Sequence, residues 1–325
     1  MNPMILDVKD CEELSSIPGN TVIIATSQCS MSVFLLSIFS LLLRSENIYH
    51  IIVAINGPDS RTGDTSLQDE KQKFLEKLRN LSWHGKDMPL TIIRVWSRIG
   101  HTQSIEMAIP WAHTKYYTTM HDDTVILKEG WDTISSKVLD ENHNVAVVYF
   151  RPLFISEIHL SKYDKKNKIY FEHFDSKLLV CRKSAIHEVG GHWWGYHIVK
   201  SGTAPKNFSY YRKEINQSVG QHGVDFIVEI IKNKLPRDKF EYDYLSYDVG
   251  SWINYKLLSK GYKFHGLPPE YIHHIGGASW ARDEVKKHGE LLLKTIRERL
   301  ESELENYPEY LSLYKEYENH SNILL

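Results

Sequence analysis

Runs of strand length and runs of helical period alternate through the first 125 residues, and that alternation confines the chain to an α/β architecture. Thr21 to Ala25 is a short β-branched run closed by the polar stretch Thr26 to Ser30, and an apolar helix follows from Met31 to Leu43. His50 to Ile55 predicts a second buried strand, ended by the turn residues Asn56-Gly57-Pro58-Asp59. Leu67, Phe74, Leu75, Leu78 and Leu81 keep to one face of a helix over 67–81. Leu90 to Val95 is a third strand, followed by a loop at Ser97 to Gly100 and a helix from Thr102 to Ala112. A fourth strand, Tyr116 to Met120, runs directly into His121-Asp122-Asp123. Repeats of this kind use right-handed crossovers, so the expected core is a mostly parallel central sheet flanked by helices. Ligands in such sheets gather at the carboxyl ends of the strands. Thr26-Ser27, Asn56-Gly57, Arg98 to Gly100 and Asp122-Asp123 all fall there.

Beyond residue 126 the pattern loosens. Val145 to Phe150 and Lys177 to Cys181 predict strands, and Lys183 to Val189 a short helix stopped by Gly190-Gly191. Residues 201–247 mix turn residues and tyrosines with one apolar helix, Val224 to Lys232. A helix from Ser251 to Ser259 stops at Lys260-Gly261. The charged stretch Asp283 to Glu305 carries the apolar stripe Val285, Leu291, Leu292, Ile296 and Leu300, which predicts a C-terminal helical extension. No repeat and no clean linker divides the chain. The expected organisation is one domain over 1–280 and a helical tail over 281–325.

Composition removes several function classes. Lys and Arg number 39 against 41 Asp and Glu, so no basic surface is implied and nucleic acid is not an expected partner. Cys11, Cys29 and Cys181 are far apart and contain no Cys-x-x-Cys pair, which argues against a disulfide framework or a zinc ribbon and for a reducing, cytoplasmic setting. Asp7, Asp10, Glu12 and Glu13 are wrong for a signal peptide. The longest apolar stretch, Val33 to Leu43, rises about 16 Å as a helix, roughly half a bilayer core. No transmembrane segment is expected, although peripheral membrane contact stays open. His187 and His192 frame a near-match to the zinc-protease pattern, but residues five apart lie about 140° apart on a helix, and Gly190-Gly191 ends it. Aromatic residues are abundant, with 8 Trp, 19 Tyr and 11 Phe, and many lie after residue 190. Gly191-His192-Trp193-Trp194-Gly195 sets two of them beside glycines, suited either to stacking on a sugar or to a core.

Asp122-Asp123 is the strongest local feature. Adjacent carboxylates after a buried strand repel unless a cation or a donor compensates them. A divalent metal does so, because hard cations take oxygen ligands; a solvated, helix-capping turn does so as well.

The order of these motifs resembles the nucleotide-sugar glycosyltransferases of the GT-A fold, especially the inverting family 2, over roughly residues 20–280. Thr21 to Ser27 is similar to that family's first strand and donor loop, and Ile52 to Asp59 to its second strand, where a polar residue meets the nucleobase. Arg98-Ile-Gly-His-Thr-Gln-Ser leads into Met120-His-Asp-Asp-Thr-Val-Ile with Gly130-Trp131, which resembles the segment around the family's Asp-x-Asp motif. Lys177 to Gly191 looks like its acceptor-side support, and Tyr247-Asp248-Val-Gly like the segment with its catalytic acid. His273-His274-Ile-Gly-Gly resembles its late histidine. The resemblance implies a Rossmann-like domain with a nucleotide-sugar half over about 20–125 and an acceptor half over about 126–280. It implies a hexosyl transfer from a nucleotide-diphosphate sugar to a carbohydrate or glycolipid-type acceptor, dependent on Mn2+ or Mg2+. Thr26, Ser27, Asn56, Gly57, Asp59, Arg98, Gly100, Gln103 and Asp122 would bind the donor. Asp123, Asp122 and His274 would hold the metal, Asp248 would act as base, and His192, Trp193 and Trp194 would meet the acceptor. His121 stands where many members carry the first acid, and a longer segment than usual separates Gly191 from Asp248. Alternatives from other classes are a nucleotidyltransferase on a related fold and a sugar- or nucleotide-binding protein without turnover.

Overall fold

The computed structural model describes residues 17–27, 29–57, 63–95, 101–150, 177–188, 257, 260–275 and 283–320. Its central sheet is built from β1 (Ile17–Thr26), β2 (Ile48–Ile55), β5 (Leu90–Arg94), β6 (Thr114–His121), β8 (Val145–Phe150), β9 (Leu178–Arg182) and β10 (Lys263–Leu267). The spatial order is β10-β8-β9-β6-β1-β2-β5. Four pairs are parallel, β1 with β2 and β6, β2 with β5, and β10 with β8, while β9 runs antiparallel to both its neighbours. Two small antiparallel pairs stand apart from it: β3 (Ser82–Trp83) with β4 (Lys86–Asp87), and β7 (Thr124–Ile126) with β11 (Ile272–His274).

The central strands are apolar on both faces because both faces are covered. Along β1, Val22 and Ile24 point into one core while Ile23 and Ala25 point into the other. The first core includes α1 (Met31–Leu43), α2 (Ser66–Arg79), α4 (Trp131–Glu141), α6 (Asp283–Leu304) and α7 (Pro308–His320). The second includes α3 (His101–Ala108) and α5 (Lys183–Glu188). The expected mostly parallel sheet, flanked by helices, is the observed one, and the predicted limits of α1 and β8 coincide with the observed limits.

α1 is apolar all round because the sheet lies on one side and α6 and α7 pack on another; eleven of its residues are buried. Its two serines have a place in this. Ser40 Oγ accepts the amide of Ile126 at 3.0 Å and donates to the carbonyl of Ser37 at 2.9 Å, tying β7 to the helix. The helix opens on Ser30, whose side chain accepts the amide of Val33.

Other limits differ for identifiable reasons. The helix expected over 102–112 stops at Ala108 and tightens into a 3-10 turn, Ile109–Trp111. Pro110 has no amide to donate and its ring crowds the preceding turn. The β3–β4 hairpin turns on His84 (φ 50°) and Gly85 (φ 72°), a pair of left-handed residues that suits the twist of a two-residue hairpin. Of the extension expected over 281–325, the described residues form two helices, the second opening at Pro308, and both pack into the first core through Leu293, Ile296, Leu300, Tyr310, Tyr314 and Tyr317. The helices expected over 224–232 and 251–259 lie outside the described residues, apart from Leu257.

Candidate functional site

The carboxyl ends of the parallel strands meet where the strand order reverses. β1 has β2 on one side and β6 on the other: the chain runs outward from β1 through β2 to β5 and then returns past β1 to β6. In open α/β sheets ligands bind in the crevice at such a point. Thr26 ends β1 there and Ser27 follows it, Asn56 and Gly57 follow β2, and Asp122-Asp123 form the turn that joins β6 to β7. The ends are knitted together: the amide of Asn56 donates to the carbonyl of Thr26 at 2.8 Å, and the amide of Val95 to that of Ile55 at 2.9 Å.

The two carboxylates of the β6–β7 turn have different partners. Asp122 Oδ2 accepts the hydroxyl of Thr26 at 2.6 Å and the amide of Ser27 at 3.4 Å. Behind them Lys71 of α2, wholly buried, donates to Thr26 Oγ1 at 2.7 Å and to the carbonyl of Ser27 at 3.2 Å. Its ammonium stands 4.0 Å from Asp122 Oδ2 and 5.1 Å from the ring of Phe34. Burial lowers the lysine pKa, and the charge of Asp122 is the first of the groups that oppose this. Cys29 donates to the carbonyl of Asp122 at 3.4 Å, and burial raises its thiol, so it is held as a neutral donor.

Asp123 faces imidazoles instead. β11 pairs antiparallel with β7, setting His274 opposite Thr124, and the amide of Ile275 donates to the carbonyl of Asp123 at 2.9 Å. This register brings Nε2 of His274 to 3.0 Å from Asp123 Oδ1, and Nδ1 of His121 lies 3.9 Å from the same oxygen. Burial raises the Asp123 carboxyl, but the adjacent His274 and then His121 outweigh it and leave it below its ordinary value. The oxygen is buried, and the 3.0 Å approach of His274 lacks hydrogen-bond geometry, so Oδ1 has no hydrogen-bond donor. One ligand atom from each of His121, Asp123 and His274 lies within 4.8 Å of the others. A donor set of two imidazoles and one carboxylate fits a divalent metal, and a cation there would satisfy the orphaned oxygen. The neighbouring His273 is buried, which pushes its pKa down to about 4 and keeps it neutral.

Of the residues singled out in the sequence, Thr26, Ser27, Asn56, Gly57, Asp122, Asp123 and His274 gather at this edge of the sheet. Gln103 falls in the first turn of α3. Asp59, Arg98, Gly100, His192, Trp193, Trp194 and Asp248 lie outside the described residues. Two members of the site had no role assigned from the sequence. In the sequence His121 stands out only as a departure from an acidic motif. Lys71 was legible in principle: with Gln68 it sits on the stripe continued by Leu75 and Leu78, where a helix facing a core carries apolar residues.

No protein-family model and no curated protein matches the chain. Among solved structures, residues 1–349 of S. aureus TarS are similar at 13% identity and a TM-score of 0.39, over 52% of this chain and 48% of that one. The same fragment in complex with UDP-GlcNAc gives 14% identity and a TM-score of 0.37, over 52% and 47%. The chain thus spans about half the length of that fragment. The mannosyltransferase PcManGT from Pyrobaculum calidifontis, in complex with GDP-Man and Mn2+, is similar at 14% identity and a TM-score of 0.42, over 96% and 90%. Likeness of this degree carries no argument about chemistry, which rests on the site.

Proposed function

We propose that this chain is a metal-dependent GT-A-type glycosyltransferase, moving a hexosyl group from a nucleotide-diphosphate sugar to a carbohydrate or glycolipid-type acceptor with inversion. One observation carries the reading: Thr26-Ser27, Asn56-Gly57 and Asp122-Asp123 converge at the switch point of a parallel sheet, with His274 delivered to Asp123 from a distant strand. Such a crevice accepts an elongated, anionic ligand whose base lies over one strand end and whose phosphates lie over the next. The order of sequence motifs that resembles family 2 supports the same reading.

In this proposal Asn56 and Gly57, with Asp59 beyond them, meet the nucleobase. Asp122, held by Thr26 and backed by Lys71, receives a ribose hydroxyl. Arg98, Gly100 and Gln103 contribute to the donor side. Asp123 and His274 hold the divalent metal, which when bound supplies a Lewis acid that neutralises a departing diphosphate. Asp248 takes the proton from the attacking hydroxyl as general base. His192, Trp193 and Trp194 line the acceptor side, where flat rings stack on sugars. No helix among the described residues is long and apolar enough to cross a membrane; the proposed setting is the cytoplasm.

A panel of nucleotide-diphosphate sugars incubated with Mn2+ tests this. The expected outcome is metal-dependent consumption of at least one donor. Absence of turnover, together with absence of metal-dependent binding of any nucleoside diphosphate, overturns it. Asp123→Ala should abolish metal-supported donor binding, whereas Asp248→Asn should spare binding and lose transfer. Near-normal transfer by Asp248→Asn would move the base elsewhere.

A further inference from the structure

The two carboxylates of the β6–β7 turn are compensated by different kinds of group, and this division predicts which metals the site takes. Asp122 already has two hydrogen-bond donors at Oδ2 and a buried ammonium 4.0 Å away. Those contacts engage one oxygen only, but Asp122 is not among the residues whose ligand atoms lie within 4.8 Å of one another, so it stands outside the donor cluster. Asp123 is in the opposite condition. Its Oδ1 is buried without a hydrogen bond, with Nε2 of His274 at 3.0 Å and Nδ1 of His121 at 3.9 Å. Two ligand atoms on one ion at bonds of about 2.1 Å stand about 3.0 to 3.4 Å apart in octahedral or tetrahedral geometry. The Asp123–His274 separation already matches that spacing, and Nδ1 of His121, 3.9 Å from the same oxygen, completes three ligand atoms that lie within 4.8 Å of one another.

We propose that His121, Asp123 and His274 form a three-donor site for a first-row transition divalent ion, one that discriminates against Mg2+ and excludes Asp122 from coordination. This rests on the metal site of the function proposed above and narrows it from Mn2+ or Mg2+ to the transition ions. The reason is ligand chemistry. Mg2+ binds through oxygen ligands and gives up its water reluctantly, whereas imidazole suits iron, cobalt, nickel and zinc, and two imidazoles with one carboxylate form a set known for such ions. Three protein donors also hold an ion without help from a nucleotide, unlike a site with one carboxylate.

The test uses the full chain, stripped of metal by a chelator, with no nucleotide present. Co2+ is titrated while its visible absorption is followed, Mn2+ is followed by electron paramagnetic resonance, and Mg2+ is then added in about hundredfold excess. The expected result is saturable binding of one Co2+ per chain that this excess of Mg2+ leaves in place. His121→Ala and His274→Ala should each weaken Co2+ binding by about tenfold or more, while Asp122→Asn should stay within about twofold of the parent. Displacement of Co2+ by that excess of Mg2+, or no saturable Co2+ binding at all, overturns the proposal, as does loss of binding in Asp122→Asn with retention in His121→Ala. The competition on the unaltered chain decides the matter even if a variant fails to fold. Because no nucleotide is present, the transfer reading stands or falls separately: a Co2+ site of this pattern in a chain that consumes no donor leaves this inference intact.

Discussion

At the scale of single residues, the positions with most effect are polar groups taken out of water and given partners. Lys71 anchors the Thr26-Ser27 loop from below, and Asp132 does the same for the turn between α1 and β2. Asp132 is fully buried, and its Oδ2 accepts the amides of Glu46 at 2.9 Å and Asn47 at 2.6 Å. Asp132→Ala would leave both amides without an acceptor, and a loss of about 1–3 kcal/mol is expected in urea unfolding. Burial raises the Asp132 carboxyl above its ordinary value, despite the opposing amides of Asn47, Glu46 and Thr133. A folded-state pKa above the unfolded one adds stability that is complete below the unfolded value and is lost as pH rises through the folded one. The stability gap between parent and Asp132→Ala should therefore widen as pH falls toward the ordinary carboxylate range. A gap that narrows instead would show that the amides outweigh burial.

Among elements, β7 and β11 matter more than their three residues each suggest. Their pairing is what holds His274 beside Asp123, and β7 is itself held to α1 through Ser40. Ser40→Ala removes the acceptor of the Ile126 amide, so a loss of about 1–3 kcal/mol is expected. Ser37 is equally buried, but its hydroxyl makes no hydrogen bond, and Ser37→Ala should change stability far less. Chemical denaturation of the two variants side by side checks this; equal losses would mean that the serines act only by their size. These two short strands were not foreseen from the sequence. A run of three residues carries too little periodicity to predict a strand, and each is a strand only because the other is there. The long elements were foreseen for the complementary reason: Met31 to Leu43 and Val145 to Phe150 are buried in any arrangement that hides so much apolar surface.

For the whole molecule, the C-terminal helices complete the first core. Phe39 packs edge-on against Phe74 and Tyr314, with centroids 5.8 and 5.7 Å apart, and against Tyr310 at 5.8 Å, while Tyr317 covers Phe74 at 5.4 Å. Arg44, at the end of α1, pairs with Glu303 of α6. Phe39→Ala would open a cavity between α1, α2 and α7, and a loss of about 3–5 kcal/mol is expected in guanidinium unfolding. A loss below about 1 kcal/mol would mean that the helices dock only loosely. The sequence by itself determined the alternation of strand and helix, the parallel sense of the sheet's first half, and the polar character of its carboxyl edge. Those follow from local periodicity and from the burial that each apolar run demands. It also singled out Asp123 from the adjacent carboxylates, but His274 and its pairing with Asp123 only through a resemblance, since 150 residues of chain separate them and local pattern says nothing about distance. Only the tertiary structure decided that His121 joins that pair and that a buried lysine occupies Asp122. It decided as well that the last helices belong to the core. Each of these depends on which surfaces meet once the sheet has closed, a long-range choice made by packing, hydrogen bonding and charge together.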